Sequence, residues 1–533
     1  MHAESAPPRA VAPLPRSRRA GSGVGMEAAR VCRDLVSRLA AQVTPDGCVP
    51  GPCASRVLES ALLLALLRRE GQHPGVQEGL EGFLSRDTGG GRSRFDSALS
   101  DAVLTGRQAD ADWVHAELLA GFDHFTFARK RLFFDVCLAS VGAIDFHPGM
   151  RPERIDSGNR APWVQMIMLA LKVTIAHGLR RPEAVTAVEH ERLVTLLREG
   201  QRRGVWENHV TAHLLALLAV SAVAPRSADV AKGLRLLVEC VNPDGGLPSI
   251  ANLSVFCTGV AGLALARAGA DRQVTERMGD YLAARQGPDG GWPFGEHMMQ
   301  SDVDTTSYAL AFLASLDTGR YAKPLQRAGS YLSAIAGQDG GFPTYVAGDP
   351  SEVGMTGGAA SALGWAGEAH AGLLENAARY LLGAQKPDGT FERSWTLSEA
   401  NTIWRAMWAL HSLPPSRLPQ LRAAREQAVA RSHRFLDLAQ NGDGGWGYRL
   451  GDASDTTSTA YSLLALSAMG RHVGTDHVVR RGIFHLLARQ EADGGFTALP
   501  DQVAPRPLLF DAPVFADIWA LLALGACDES WRW

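Results

Sequence analysis

The chain has 533 residues, more than a single hydrophobic core usually supports, so we expect two domains. Its 53 Lys and Arg residues nearly balance 56 Asp and Glu residues, and no basic block is long enough to follow a nucleic-acid backbone. Nucleic acid is therefore excluded as an expected partner. The seven cysteines are scattered without a C-x-x-C pair, which predicts reduced thiols, a cytoplasmic location and no structural zinc site.

The first 25 residues are rich in Ala, Pro and Arg and contain no apolar stretch of signal-peptide length, which predicts a disordered tail over 1–25. An amphipathic helix is predicted to begin at Met26, and the sequence leaves open whether translation starts at Met1 or Met26. No apolar run reaches the roughly 20 residues that a membrane-spanning helix needs, so no transmembrane segment is expected.

A turn motif of the form Q-x-x-x-G-x-W/F recurs through the C-terminal half of the chain. Its copies begin at Gln286, Gln385, Gln440 and Gln490, and a degenerate copy begins at Ala336. Apolar residues between the copies recur with helical spacing, so each unit is predicted to be two helices joined by a Gly-rich turn. The Gly residues supply positive φ, the Trp or Phe covers apolar surface, and the Gln bonds to neighbouring backbone.

Weaker versions of this turn lie upstream, at residues 44–47, 204–206 and 243–247. Stacked two-helix units close into a barrel, and the weaker copies predict a second, less regular one. The predicted fold class is therefore all-α, with two α/α barrels.

Two acids one residue apart, Asp302 and Asp304, follow the turn that begins at Gln286. If these carboxyl groups share one site, desolvation and mutual repulsion raise at least one pKa, so the pair keeps a proton near neutral pH. A neutral carboxylic acid held in a dry cavity can act as a proton donor. The sequence therefore predicts proton-donating chemistry at this pair.

A structural interpretation of the same residues is that Asp304 only caps a helix. A second D-T-T segment begins at Asp455, with Ala453 standing where Asp302 stands in the first copy. We therefore interpret D-T-T as partly a feature of the repeat, and the first acid as what distinguishes the site.

The recurring turns, together with the segment Asp302-Val-Asp304-Thr305-Thr306, resemble the class II terpene cyclases over most of the chain. That group contains the squalene–hopene and copalyl diphosphate cyclases, in which the acid motif usually reads D-x-D-D. Thr305 at the fourth position is similar to the motif of bacterial drimenyl diphosphate synthases, which act on farnesyl diphosphate. Residues 46–55 also resemble a loop of the two-domain diterpene cyclases, altered at Cys48 and Gly51.

This resemblance implies two barrels, called β and γ, with the active site between them. By position, γ covers 50–250, and β takes 26–49 together with 251–533. The resemblance makes Asp304 the general acid, with Asp302 supporting it and reloading the proton. It also implies that Mg²⁺ binds with the substrate diphosphate.

The reaction implied is the cyclisation of farnesyl diphosphate to a bicyclic drimane-type diphosphate. No Asp-Asp pair occurs in the chain, so the D-D-x-x-D motif of ionising cyclases is absent and the diphosphate is expected to be retained. The alternative within the family is a copalyl-type product from geranylgeranyl diphosphate. A triterpene cyclase is disfavoured because such chains are usually longer.

Aromatic side chains on the predicted helices are candidates for contact with a carbocation, which a ring face stabilises by roughly 0.5–2 kcal/mol. Trp404 and Trp408 lie four residues apart and share one helix face, and Tyr308, Trp365 and Trp519 lie on comparable helices. For the four Trp residues, lining a pocket and packing in the core both remain open. We expect Tyr308 and Thr305 to contact substrate because they follow the acid pair.

Other polar residues give weaker signals. Lys172 is a candidate for binding the diphosphate, against the alternative of a solvated lysine. Asn252 is predicted either to cap a helix or to position a water or the final base. His209 and His213 have the spacing of a zinc pair but lack a third ligand, so we interpret them as a satisfied helix pair.

Two readings from other functional classes remain. Protein prenyltransferase β subunits form similar barrels but need an Asp, Cys and His zinc site, which the cysteine spacing does not indicate. A helical toroid with no catalytic role could bind a peptide or lipid on its concave face, but that reading leaves Asp302 unexplained. The oligomeric state is open.

Overall fold

The computed structural model describes residues 23–86, 93–119, 127–158, 161–365, 370–393, 395–413, 419–504 and 506–526. The helices of the first half are α1 (Gly23–Gln42), α2 (Val57–Glu70), α3 (Pro74–Ser85), α4 (Arg94–Thr105), α5 (Ala111–Leu118), α6 (Phe127–Ser140), α7 (Pro162–Gly178), α8 (Ala187–Gly200), α9 (Val210–Val223) and α10 (Ala228–Val238). Those of the second half are α11 (Ser254–Arg267), α12 (Arg272–Ala284), α13 (Val303–Leu316), α14 (Ala322–Ile335), α15 (Val353–Trp365), α16 (Ala371–Ala384), α17 (Glu399–Ser412), α18 (Arg422–Ala439), α19 (Thr456–Ala468), α20 (His477–Leu487) and α21 (Val514–Ala526).

Short strands join distant parts of the chain. Strand β1 (Ser55–Arg56) pairs antiparallel with β2 (Leu247–Pro248), and β3 (Gln502–Val503) pairs antiparallel with β4 (Leu509–Phe510). The first pair lies where the chain leaves α1 and returns to α11. It ties the two ends of the intervening helices together.

The helices of the second half form a barrel of two layers. Helices α11, α13, α15, α17, α19 and α21 each contact the next, and α21 contacts α11, so the inner layer is a closed ring. Helices α12, α14, α16, α18, α20 and α1 pack outside it. Inner helices such as α15 are almost entirely apolar or small, whereas the outer α14 buries one face, as each layer requires.

Helix α1 is held in this outer layer by a buried carboxylate. The Arg38 side chain donates from Nε to Asp517 of α21 at 2.7 Å, and the other Asp517 oxygen accepts from the backbone N–H of Phe496 at 2.7 Å. The N-terminal helix therefore completes a barrel formed by the far end of the chain.

A second hydrophobic core contains buried residues between Leu58 and Leu247. Helices α2, α6, α7 and α9 contact one another in a smaller closed ring, with α3, α8 and α10 packed against it. The predicted all-α fold with two α/α barrels is confirmed. No helix in the described ranges is long and apolar enough to cross a membrane.

The predicted N-terminal tail, 1–25, lies outside the described residues as far as residue 22. Residues 23–25 already belong to α1, so the helix begins three residues before the predicted Met26. Sequence patterns locate helix ends only within a few residues, because the end turns carry few of the periodic apolar positions.

The recurring turns have the predicted geometry. In the first copy, Gly290 has φ +95°, and the Gln286 amide donates to the Gly290 carbonyl and to the Pro324 carbonyl, both at 2.8 Å. The buried Trp292 donates its indole N–H to the Leu282 carbonyl at 2.7 Å. Each turn therefore connects one helix pair to the next.

The structure corrects the alignment of the repeats. The backbone N–H of Asp302 bonds to the Trp292 carbonyl, and that of Asp455 bonds to the Trp446 carbonyl. Each of these acids is the N-cap of the following inner helix. Asp455 is therefore equivalent to Asp302, not to Asp304 as the D-T-T letters indicated.

Thr457 stands where Asp304 stands, because each lies two residues after its helix cap. The shared letters D-T-T come from different positions of the repeat. The second acid, rather than the first, is what distinguishes this unit from the Asp455 copy. The structural interpretation as a helix cap applies to Asp302 and not to Asp304.

Replacing Gly290 with Ala should destabilise the barrel by about 1–3 kcal/mol, because an L-residue is strained at this φ. A Cβ there would also lie 2.5 Å from the Arg327 carbonyl oxygen. Urea unfolding measures the change. Gly442→Ala is the matched control, since a Cβ at Gly442 of a later turn meets nothing within 4 Å. Equal stability of the two variants would contradict this account of the turn.

Candidate active site

A cavity opens between the inner ring of the barrel and the second core. From the second core, α6 contributes Arg129 and Lys130, and α7 contributes Trp163. From the barrel come the acid pair and the start of α15. The aromatic side chains that line this main cavity are Trp163, His209, Phe256, Phe294, Tyr345, Trp395, Phe510 and Phe515.

A smaller deep chamber lies next to the main cavity, inside the barrel. Asp304, Phe256, Met355, Trp395 and Gln502 line both spaces, so the two adjoin at the acid. The deep chamber is completed by Tyr308, Gly354, Thr396, Asn401, Arg405, Tyr461 and Trp519. Its free space is about 20 Å³ against about 210 Å³ in the main cavity, so only the end of a long ligand can reach into it.

Asp302 lies at the N-terminus of α13 and is 3% exposed. One carboxylate oxygen accepts from the Thr305 N–H at 2.7 Å and the other from the Thr305 hydroxyl at 2.9 Å. Burial raises the pKa of Asp302 to about 7, the hydrogen bonds from Thr305 oppose that rise, and the charge of Asp304 adds to it. Near neutral pH this carboxyl therefore holds a proton part of the time.

Asp304 lies in the first turn of α13, and 22% of its side chain is exposed to the cavity. One carboxylate oxygen accepts from Nη2 of Arg405 at 2.5 Å, while Nη1 of Arg405 donates to the Tyr308 hydroxyl at 3.2 Å. The guanidinium also lies 5.2 Å from the centre of the Tyr308 ring. Asp304 is thus the more exposed carboxyl at the cavity, whereas both carboxylate oxygens of Asp302 accept hydrogen bonds from Thr305.

Close packing fixes Arg405 in this position. A Cβ on Gly358 of α15 would lie 2.1 Å from Nη2 of Arg405, and one on Gly357 would lie 2.6 Å from the Arg405 carbonyl oxygen. Only glycine lets α17 approach α15 this closely. The Asp304 ion pair raises the Arg405 pKa against the opposing effect of burial, so the guanidinium stays charged.

Sequence reasoning missed Arg405. The signal was present, since a lone Arg stands between Trp404 and Trp408 on a helix whose neighbours are apolar. A buried Arg is costly unless an acid pairs with it. That rule predicts an acidic partner, but it does not identify one.

The arrangement suits proton donation to an apolar ligand. An alkene that reaches Asp304 meets a carboxyl group surrounded by aromatic and apolar side chains. A guanidinium on the far side of the carboxyl stabilises the carboxylate that remains once the proton has left. The rings around the cavity stabilise a cation without offering it a nucleophile.

Three of the predicted contact residues line ligand space. Thr305 lines the main cavity, and Tyr308 and Trp519 line the deep chamber. Trp519 lies 6.2 Å from Tyr308 and 5.3 Å from Tyr461 between ring centres, so these rings form one wall.

Trp404, Trp408 and Trp365 do not line either space in the described part of the chain, which corrects that prediction. Trp404 and Trp408 share a helix face as predicted, stacked at 5.8 Å, but Trp404 packs behind Tyr461 and Trp519. Trp365 is 38% exposed at the end of α15. Spacing identifies residues that share a face, but an inner helix is buried on several faces, and only one of them is turned to the lumen.

Lys172 and Asn252 have structural roles. The Lys172 ammonium donates to Glu189 at 2.6 Å inside the second core, away from the main cavity. The Asn252 side chain accepts from the Gly51 N–H at 3.1 Å, which joins the segment after α1 to the start of α11. It is therefore not the N-cap of α11, which is Leu253.

His209 is a wall residue of the main cavity. Its ring stacks on Trp163 at 4.8 Å and meets Phe294 edge-on at 5.1 Å. Burial lowers the pKa of His209, and of His213, to about 3, so both rings are neutral. His213 accepts from the Trp206 N–H, but the buried Nε2 of each ring has no hydrogen-bond partner among the described residues, so the prediction of a satisfied pair is wrong.

A group of cations that the sequence did not indicate lies at the main cavity. It comprises Arg129 and Lys130 of α6 and Arg506 of the loop between β3 and β4. Burial lowers the pKa of Lys130, and the charges of Arg129, Arg506 and Arg56 lower it further. Gathering like charges is unfavourable by itself, so the group is suited to binding an anion.

Acidic side chains flank this cation group. Asp349 and Glu352 line the main cavity, and Glu352 accepts from Arg506 at 2.7 Å and from the Thr344 hydroxyl at 2.8 Å. Mg²⁺ is usually held by one or two carboxylates together with substrate phosphates. Among the described residues no group of three or more His, Cys, Asp or Glu side chains is placed to hold a metal ion. The residues therefore fit Mg²⁺ when a diphosphate supplies further oxygens.

Two family models match the chain. The squalene-hopene cyclase C-terminal domain matches residues 344–529, and the prenyltransferase alpha-alpha toroid domain matches residues 206–392. A solved structure, ent-copalyl diphosphate synthase from Streptomyces platensis, shares the fold with a TM-score of 0.56 at 20% identity, covering 95% of this chain and 100% of that one.

Two curated relatives match almost end to end. The drimenyl diphosphate synthase of Streptantibioticus cattleyicolor is 39% identical over 93% of this chain and 94% of its own length. That of Streptomyces showdoensis is 40% identical over 92% of this chain and 93% of its own length. The Asp-Val-Asp-Thr-Thr motif lies at the cavity between the two helical barrels. This chain therefore belongs to the class II terpene cyclases, in the drimenyl diphosphate synthase family.

Proposed function

We propose that this protein cyclises farnesyl diphosphate to a bicyclic drimane-type diphosphate, drimenyl diphosphate, and leaves the diphosphate bonded to carbon. The observation that carries the proposal is the position of Asp304. It stands at the junction of an aromatic cavity and a closed chamber, backed by Arg405. The names of the two relatives support the same product.

In the proposed reaction Asp304 gives its proton to the terminal alkene of the prenyl chain. The remaining alkenes attack in turn, so two carbon–carbon bonds form and the positive charge moves into the second ring. A proton then leaves a neighbouring carbon, which restores an alkene. The sum is an isomerisation, and Asp304 must regain a proton before the next turnover.

The two acids have different parts in this scheme. Arg405 stabilises the Asp304 carboxylate after proton transfer. Asp302, whose pKa lies near 7, holds a proton beside it and supports reloading. Thr305 keeps Asp302 oriented through two hydrogen bonds.

The diphosphate is assigned to the cation group of Arg129, Lys130 and Arg506. Mg²⁺ is proposed to bind with it, through Asp349 and Glu352, and would offset the charge of the diphosphate. The prenyl chain then extends through the aromatic part of the main cavity to Asp304. We propose two domains, a β barrel of residues 26–49 with 251–533 and a γ barrel of residues 50–250. The presence of two separate hydrophobic cores supports this division.

We propose a cytoplasmic location because none of the described cysteines, which include the buried Cys53, Cys137 and Cys257, forms a disulfide.

The substrate test uses purified protein with Mg²⁺ and either farnesyl or geranylgeranyl diphosphate, followed by phosphatase and mass spectrometry. We expect a bicyclic C15 alcohol that is seen only after phosphatase treatment. Asp304→Asn should lower the rate by at least about 10³-fold, and Asp302→Asn should leave residual activity. A bicyclic C20 alcohol would instead indicate the copalyl-type reaction. Only linear alcohols, or full activity of Asp304→Asn, would contradict the mechanism.

Cyclisation should fall as pH rises through about 7, approaching tenfold per pH unit, because the acid pair must keep a proton. The pKa of Asp302 is raised above its ordinary 3.8, so the stability that this group contributes is present at low pH and lost as pH rises toward 7. Chemical unfolding from pH 4 to 8 should show this loss in wild type and less of it in Asp302→Asn. Asp501→Asn should lessen the loss to a similar extent, since the Asp501 pKa is also raised to about 7. A rate that is flat to pH 9 would contradict the role of the pair.

Lys130→Met should weaken binding of the diphosphate and raise KM about tenfold, with kcat less affected, because a charge-assisted contact is lost. Inorganic pyrophosphate in titration calorimetry gives a readout that does not depend on turnover. Lys130→Met should bind pyrophosphate more weakly than wild type, since burial and the neighbouring charges that lower the pKa of Lys130 make a bound anion favourable there. Lys232→Met, at an exposed position of α10, is the control. Equal affinity of the Lys130 variant and wild type would move the diphosphate elsewhere.

A further inference from the structure

We propose that Asp501 is a positioning residue of the acid site, because it holds the two residues that precede the first turn of α17 and thereby sets Arg405 against Asp304. The inference rests on the proposed function and adds a residue outside the reacting groups. Asp501 lies just before β3, about a hundred positions after the helix it holds.

Helix α17 has no cap of its own. Its N-cap residue, Ser398, makes no side-chain capping bond, and its hydroxyl has no partner although the residue is fully buried. Two other inner helices differ, since the side chain of Asp302 caps α13 and that of Asp455 caps α19. The first N–H of α17, that of Glu399, donates to the Tyr448 carbonyl at 3.0 Å, so the start of this helix is fixed by contacts from elsewhere in the chain.

Asp501 supplies a second contact, to the two residues before α17. One carboxylate oxygen accepts from the Leu397 N–H at 3.0 Å and from the Ser398 N–H at 2.9 Å. The Leu397 N–H also bonds to the Asp501 carbonyl at 3.0 Å, and the Val503 N–H bonds to the Trp395 carbonyl at 2.9 Å. The segment before α17 is therefore paired with the segment around Asp501 on both sides of the carboxylate.

The position held in this way is the one that the acid site needs. Arg405 follows Ser398 by seven residues, about two helical turns, so the start of α17 and the guanidinium move together. The contacts of α17 with Gly357 and Gly358 leave no room for a shift toward α15. Movement of the helix start would therefore displace the Arg405 guanidinium from the Asp304 carboxylate.

The same loop reaches the other end of the site. Gln502 lines both the main cavity and the deep chamber, and Arg506 belongs to the cation group that is proposed to bind the diphosphate. Arg56, from the second core, donates to the Ala504 carbonyl at 2.6 Å and to the Leu509 carbonyl at 3.2 Å. Asp501 therefore joins the acid site to a loop that is itself fixed to both cores.

A carboxyl is an expensive group for this purpose. Asp501 is 4% exposed, and its second oxygen has no hydrogen-bond partner. A buried oxygen without a partner costs stability. The neutral amide of Asn would offer the same acceptor to Leu397 and Ser398 without a buried charge, which provides a conservative variant for the test.

The test is a double-mutant cycle on purified full-length protein, with kcat and KM for the prenyl diphosphate as the readout. Asp501→Ala should lower kcat on the order of 10- to 100-fold, the size of effect expected when a catalytic group is misplaced by about 1 Å. KM should stay within about threefold, since the cation group proposed to bind the diphosphate keeps its side chains. Asp501→Asn should restore kcat to within about threefold of wild type.

Combination with Arg405→Met separates positioning from general destabilisation. If Asp501 acts through Arg405, adding Asp501→Ala to Arg405→Met should cause little further loss of kcat, whereas independent losses multiply. Asp271→Ala, which removes the cap of the outer helix α12, is the control and should leave kcat unchanged. Multiplying losses, an unaffected kcat, or an Asn variant as slow as Ala would each overturn the proposal.

If Asp501→Ala does not fold, Asp501→Glu takes its place, because the extra methylene displaces the acceptor but keeps the group. It should lower kcat in the wild-type background and not in the Arg405→Met background. Wild-type protein that forms no cyclic product would instead refute the proposed function. Cyclisation by wild type together with multiplying losses refutes only the role of Asp501.

Discussion

The ion pair between Arg405 and Asp304 is the interaction on which the rest of the site depends. Its N–O distance is 2.5 Å, and Arg405 is buried, so neither charge is compensated by solvent alone. The pair requires glycine at 357 and 358, and a helix, α17, that is held at its start by Asp501, just before β3. Much of the local architecture is thus explained by the need to place one guanidinium behind one carboxyl.

Comparison of the two repeat units shows that the second acid, Asp304, is not part of the repeat's capping structure. Asp302 and Asp455 perform the same capping task in their own units, and the backbone bonds around them are the same. Asp304 is not needed for capping, and its equivalent, Thr457, makes no such pair with an arginine. Burial raises the pKa of the capping acid, Asp302, to about 7, while Asp304 lines both the main cavity and the deep chamber.

Charge is separated along the main cavity. Cations from α6 and from the loop after β3 gather where an anion is proposed to bind, and aromatic rings surround the space that leads to the acid. An anionic head and an apolar tail are therefore accommodated by different walls of one cavity. Because these walls belong to different hydrophobic cores, the site exists only when both cores are assembled.

The sequence by itself determined the all-α fold, the recurring turns and the acid pair, since each rests on short-range spacing that a helix or a tight turn imposes. It also led to the correct family through Thr305 in the acid motif. It misplaced the equivalence of Asp455, because the three shared letters D-T-T cannot show which acid caps the helix. Only the tertiary structure brought Arg405, Lys130 and Arg506 to the cavity, and turned Trp404 and Trp408 away from it. These outcomes depend on which helix face meets the lumen and on contacts between residues a hundred or more positions apart, and periodicity along the chain carries no information about either.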